Sequence, residues 1–233
     1  MSKKIILSKK DGLSAALLYL AVIGLASLQI WLLGGGGGVL QTASQCVASQ
    51  YLFAAADAAL VFVFLTVRKK PWESIGLTTH RFGRALLLGC VAGVLIAAFN
   101  VISIYMDGAR HLNSVGEILR MTMMFIFFAI PEELVFRGYL QTNLKGLIKN
   151  VYAADLVNAL LFMTLHLPAK LVPALMDGEP GRFFVFLSEN LLWACNLIVV
   201  ALIYSYVCRK SGSLAAPIAA HAIVNLSYSL LIG

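Results

Sequence analysis

The sequence predicts an all-α fold, a polytopic membrane bundle of about seven transmembrane helices around a polar intramembrane cavity. Three observations carry this expectation. The 233-residue chain is 60% hydrophobic and 12% charged, about half the charge of a soluble domain, and its mean hydropathy is +0.86. Its apolar stretches recur at lengths that span a bilayer as helix, about 20 residues each. One of them, from about residue 119 to 144, holds two acids and an arginine, Glu132, Glu133 and Arg137. Charges at that depth cost several kcal/mol (roughly 2.5–3.5 each on insertion scales) and therefore mark a wet cavity or a paired cluster.

The first span is expected at about 12–33, too long for the apolar core of a cleavable signal despite Lys3, Lys4, Lys9 and Lys10 before it. Five glycines, Gly34 to Gly38, then break the helix as a flexible turn. The second span, about 46–67, includes the acid Asp57 near its middle. A basic connection from Arg68 to Arg84 follows, with Trp72 suited to the headgroup level. Span three covers about 83–105, and a polar connection leads to span four at about 118–144. Span five is short, about 153–167, ending at His166. Residues 168–182 are expected to form a loop, followed by span six at about 183–207. After the tight basic turn from Cys208 to Gly212, span seven runs over about 214–231 and holds His221 and Asn225. Residues 1–117 thus supply three spans and residues 118–233 the helical core with the polar residues, together one membrane domain.

The net charge of +7 belongs to membrane flanks rather than to a nucleic-acid surface. Lys3, Lys4, Lys9, Lys10, Arg68, Lys69, Lys70, Arg81, Arg84, Lys145, Lys149, Arg209 and Lys210 fall on one side of the expected topology. Only Arg110, Arg120, Lys170 and Arg182 fall on the other. The cation-rich side is cytoplasmic, which places the N-terminus inside and the C-terminus outside. The four cysteines, Cys46, Cys90, Cys195 and Cys208, have neither disulfide-framework nor metal spacing and read as small apolar residues.

Helical spacing divides the polar residues by role. Glu133 and Arg137 are four apart and share a face, so they can pair. Glu132 is rotated away from the guanidinium, which leaves it less neutralised and suited to act as a general base. His166 stands one turn after Phe162, and His221 and Asn225 are again four apart, aimed at a common point. Together these could activate a water and hold an oxyanion. A purely structural polar cluster uses the same spacing. His80 and His111 lie in connections and read as solvated.

The three pieces, Glu132-Glu133-x-x-x-Arg137, Phe162-x-x-x-His166 and His221-x-x-x-Asn225, resemble the motifs of the CPBP intramembrane proteases. That family includes the type II CAAX prenyl endopeptidases and bacteriocin-processing and immunity proteins. The likeness covers about 118–231 and includes Pro131 before the acids and Ser213 to Ile218 before His221. It implies an integral protein of a bacterial cell membrane that hydrolyses a peptide bond in a membrane-associated or lipidated peptide or protein. Glu132 with His166 would activate the water, and His221 with Asn225 would hold the oxyanion. Glu133, Arg137 and Phe162 would support them. Metal-free glutamate chemistry is favoured because no HExxH is present; a zinc ion, if one is bound, would take Glu132, His166 and His221. The alternative is a non-catalytic scaffold or immunity protein that uses the same pocket for binding. A transporter is disfavoured by the lack of an inverted repeat.

Overall fold

The computed structural model describes residues 7–33, 43–106, 108, 111–228 and 230–232. The expected glycine turn at 34–38 lies outside the described residues, and of Cys46 only the backbone is described. Helices α1 (Lys9–Leu33), α2 (Ala43–Val67), α3 (Phe82–Met106) and α4 (Val115–Glu133) come first. The chain continues from α4 as a π-helix, Leu134–Leu140, a single α turn, Gln141–Asn143, and a 3₁₀ turn, Leu144–Gly146. Then follow α5 (Val151–Leu165), α6 (Pro168–Met176), α7 (Gly181–Glu189), α8 (Leu191–Ser211) and α9 (Ala215–Ser227). The fold is the helical membrane bundle that the sequence predicts.

Among the described residues, five stretches are long and apolar enough to cross a membrane: Lys9–Leu33, Ala48–Val67, Phe82–Met106, Val151–Met176 and Leu191–Ser211. The other two expected spans differ for physical reasons. Four charges, Glu117, Arg120, Glu132 and Glu133, interrupt α4. Helix α9 has 13 residues, about 20 Å at 1.5 Å per residue, short of the roughly 30 Å hydrocarbon core. Two local expectations are corrected. Residues 168–182 are not an irregular loop, because α6 occupies most of them and α7 begins at Gly181. Span six accordingly starts at Leu191, since the polar pair Glu189-Asn190 separates it from α7.

The chain forms two compact units, Met1–Lys69 with Tyr139–Leu202, and Lys70–Gly138 with Ile203–Gly233. In the first, Asp11 closes the start of α1: Ser8 N–H and Ser8 Oγ donate to its Oδ2 at 2.7 and 2.9 Å. The other oxygen of Asp11 accepts from Arg68 at 3.0 Å, so the start of α1 is fastened to the end of α2. Gly146 packs the 3₁₀ turn on this corner, where an added Cβ would meet the Ser8 carbonyl at 2.2 Å. Tyr139 OH and Ser14 Oγ, 3.0 Å apart, and Tyr19 OH and Thr164 Oγ1, 2.6 Å apart, hold α1 to its neighbours.

In the second unit α3 and α9 run parallel in intimate contact. A Cβ on Gly89 would lie 2.1 Å from Ala216 O, and one on Gly93 would lie 2.9 Å from Ala220 Cα. Further along, Asn100 Nδ2 donates to Ser227 Oγ at 3.1 Å, with the same offset of 127 residues. Small residues at four-residue spacing let membrane helices approach until backbone touches backbone. An antiparallel bridge of β1 (His111–Leu112) with β2 (Leu231–Ile232) closes the far end of this helix pair.

This contact leaves no room for a side chain at 89. Gly89→Val is expected to destabilise the protein by at least about 1–3 kcal/mol, the usual cost of overpacking, read as a lower unfolding midpoint in detergent. Gly83→Ala, where an added Cβ meets nothing within 4 Å, should leave the midpoint unchanged or raise it.

Candidate functional site

Pro131 sits inside the last turn of α4 and contributes no N–H to the helix. Leu134 N–H reaches both Ile130 O and Pro131 O, and the backbone then widens into the π-helix Leu134–Leu140. The expected single α-helix over 118–144 is therefore interrupted immediately after the two acids. Segments of this kind concentrate at functional sites because they re-aim side chains.

The geometry is centred on Glu133, whose side chain has no solvent exposure. Its Oε1 accepts from Arg137 Nη1 at 3.1 Å and lies 2.8 Å from His221 Nδ1. A carboxylate only accepts here, so Nδ1 carries the proton that bridges them. His221 Nε2 then faces Glu132 Oε2 at 3.8 Å, outside hydrogen-bond range but close enough for a shared water. Glu132 is the more open acid, with 31% of its side chain exposed. Among the described residues, its Oε2 and the Oε2 of Glu133 are buried without a hydrogen-bond partner. One imidazole therefore stands between two inequivalent carboxylates, one ion-paired and one not. As neutral imidazole, His221 offers the Nε2 lone pair; as imidazolium, it has a donor for each acid.

The sequence reading missed Tyr204. Its ring stacks on His221, centroids 5.2 Å apart at 28°, and the Arg137 guanidinium carbon lies 5.1 Å from the same ring's centroid. The Tyr204 hydroxyl is buried and has no hydrogen-bond partner among the described residues. Only one signal for it exists in the sequence, the polar triplet Tyr204-Ser205-Tyr206 inside an apolar span. Asn225 lies one turn beyond His221 on α9 and is half-buried.

His166 belongs to the first unit. Helix α5 tightens at its end, where His166 N–H bonds Met163 O rather than the carbonyl four residues back. The freed Phe162 carbonyl accepts from His166 Nδ1 at 2.9 Å. That bond fixes the neutral tautomer with its lone pair on Nε2. The Phe162 ring, 2% exposed, packs 5.0 Å from the imidazole, and Trp193 stands at 6.4 Å. His80 and His111 are exposed, and Asp57 is half-buried within α2. Cys90, Cys195 and Cys208 are free thiols.

Catalytic zinc takes three protein ligands; of the candidates for them, Glu132 and His221 lie in the second unit and His166 in the first. Among the described residues no group of three or more His, Cys, Asp or Glu is placed to hold one ion.

Glu132, Glu133, Arg137 and His221 thus form an acid–histidine cluster at the point where α4 gives way to the π-helix. Residues 114–227, just under half of the chain, match the family model of the type II CAAX prenyl endopeptidase Rce1-like proteins. The family is one of CAAX-type intramembrane proteases. Among the curated proteins and the solved structures, nothing matches the chain.

The Glu133–Arg137 pair is fully buried, and removing one partner of such a pair costs about 3–5 kcal/mol. Arg137→Ala is expected to lose that much stability, read as a lower unfolding midpoint. Tyr204→Phe should behave as wild type. Tyr204→Leu, which removes the ring from both Arg137 and His221, should lose about 1–2 kcal/mol and change the His221 signals in ¹⁵N NMR.

Proposed function

We propose that the protein is an intramembrane endopeptidase of the glutamate type, acting on a membrane-associated or lipidated peptide or protein. The observation that carries this reading is the placement of His221, held through Nδ1 by the Glu133–Arg137 pair with Nε2 turned to the unpartnered oxygen of Glu132. The motif resemblance gives Glu132 the role of general base, with His166 helping to polarise the water. His166's part rests on its motif and on the Nε2 lone pair that its bond to Phe162 O leaves available.

The steps balance as follows. Glu132 takes a proton from water as its oxygen bonds to the scissile carbonyl carbon. The resulting oxyanion accepts hydrogen bonds from His221 and Asn225. Because Nδ1–H is committed to Glu133, His221 donates to the oxyanion through Nε2 only as imidazolium. The intermediate collapses with cleavage of the C–N bond, and protonated Glu132 returns its proton to the departing amine. No step needs a metal. Beside the acids, Ile130 and Ala222 help line an apolar cavity of about 350 Å³ bounded by α3, α4 and α9, which offers a non-polar surface to a membrane-borne substrate. The cation asymmetry of the sequence supports a cytoplasmic N-terminus, and a bacterial cell membrane is the setting that the motifs imply.

The test compares the membrane peptidome of cells expressing wild-type protein with that of cells expressing Glu132→Gln at equal levels. Cleavage products present only with wild type are expected, and identical peptidomes would favour a binding scaffold instead. On an identified substrate, Glu132→Gln should lose roughly 10²–10⁴-fold in kcat, the range for a general base. His221→Ala should lose about 10²–10³-fold, as for one oxyanion donor. A strong chelator should leave the rate unchanged.

A further inference from the structure

The second unit carries a charged end that the proposed chemistry does not use. Two segments meet there: Leu214 N–H donates to Gly76 O at 3.0 Å, and Ser213 Oγ donates to Thr78 O at 3.4 Å. Residues 76–91 and 203–219 bring Arg81, Arg84, Arg209 and Lys210 to this end and contain no Asp or Glu. It is also where α3 begins and α8 ends, both of membrane-crossing length and apolarity. Such helix ends lie at headgroup depth.

A cavity of about 280 Å³ opens here, lined by Arg84, Leu87, Leu88, Val91, Lys210 and Ser211. Its character changes with depth. The outer lining offers a guanidinium and an ammonium, while the Ser211 hydroxyl is engaged with the Cys208 and Ser213 backbone. Leu87, Leu88 and Val91 continue one to two helical turns inward, up to about 10 Å at 1.5 Å per residue. Leu87 is 65% and Val91 51% exposed, forming an apolar strip on α3. Arg84 is exposed and has no ion-pair partner among the described residues, and Lys210 makes only a 3.3 Å bond to Tyr206 OH and a contact with that ring. Arg84 and Lys210, held above an apolar wall and without an ion-pair partner among the described residues, complement a phosphate attached to a hydrocarbon chain.

We propose that this cavity binds an anionic phospholipid, its phosphate between Arg84 and Lys210 and one acyl chain along Leu87 and Val91. Arg81 and Arg209 add to the attracting field. The site is separate from the Glu132–His221 cluster and stands whether or not the chain cleaves peptides.

The experiment is native mass spectrometry of the full-length protein in detergent, titrated with phosphatidylglycerol or phosphatidylcholine of equal chain length. Wild type is expected to retain phosphatidylglycerol about 10-fold more strongly. The double variant Arg84→Gln/Lys210→Gln should lose that preference, while Lys149→Gln, a cation of the other unit, should keep it. Val91→Trp, which fills the wall without altering charge, should also weaken retention, separating a shaped site from diffuse attraction. Millimolar inorganic phosphate should not displace the lipid. Equal retention of the two lipids, a double variant or Val91→Trp that binds as wild type does, or displacement by phosphate would each overturn the proposal. If the double variant fails to fold, Lys210→Gln alone, at an exposed position, carries the same test.

Discussion

A carboxylate with no access to solvent, Glu133, is the constraint on which the second unit depends. Ionised and alone it would cost many kcal/mol to bury. It is tolerated because one oxygen is shared between the Arg137 guanidinium and His221 Nδ1–H. The arginine lies against the Tyr204 ring, which also stacks on His221. Charge, ring and imidazole thus fix one another. The consequence for chemistry is asymmetry: the paired acid orients the histidine, and the open acid, Glu132, faces its other nitrogen.

Two backbone features make that arrangement reachable. Pro131 ends the regular hydrogen-bond pattern of α4, and the π-helix that follows keeps Arg137 on Glu133. Gly89 and Gly93 bring α3 against Ala216 and Ala220, which sets the position of α9 and hence of His221. Neither feature touches the reacting atoms. Both decide where the imidazole stands. In the first unit a comparable economy governs His166, whose tautomer follows from a helix end that tightens and frees the Phe162 carbonyl.

Much of this was legible in the sequence, and the failures have identifiable causes. The four-residue spacing of Glu133 and Arg137 foretold their pairing, and it survives although the intervening turns are π rather than α. The spacing of Gly89, Gly93 and Ala97 is visible in the chain but has meaning only beside Ala216 and Ala220, more than a hundred residues away. Asp11 fits the Ser-x-x-Asp capping pattern, yet its pairing with Arg68 across two helices could not be read locally. Tyr204 looked like one more aromatic in an apolar span. The helices at Pro168–Met176 and Gly181–Glu189 were hidden by their prolines, glycines and charges, which also typify loops.

The sequence by itself determined the all-helical membrane class, because burying unsatisfied backbone in hydrocarbon permits few alternatives. It also determined the candidate polar residues, because each one costs energy in an apolar span. Only the tertiary structure decided which nitrogen of His221 meets which glutamate, that Tyr204 joins them, and that Arg84 and Lys210 share one cavity. Those outcomes depend on contacts between segments far apart in the chain. Periodicity records the face of one helix; it carries no information about which face of another helix will meet it.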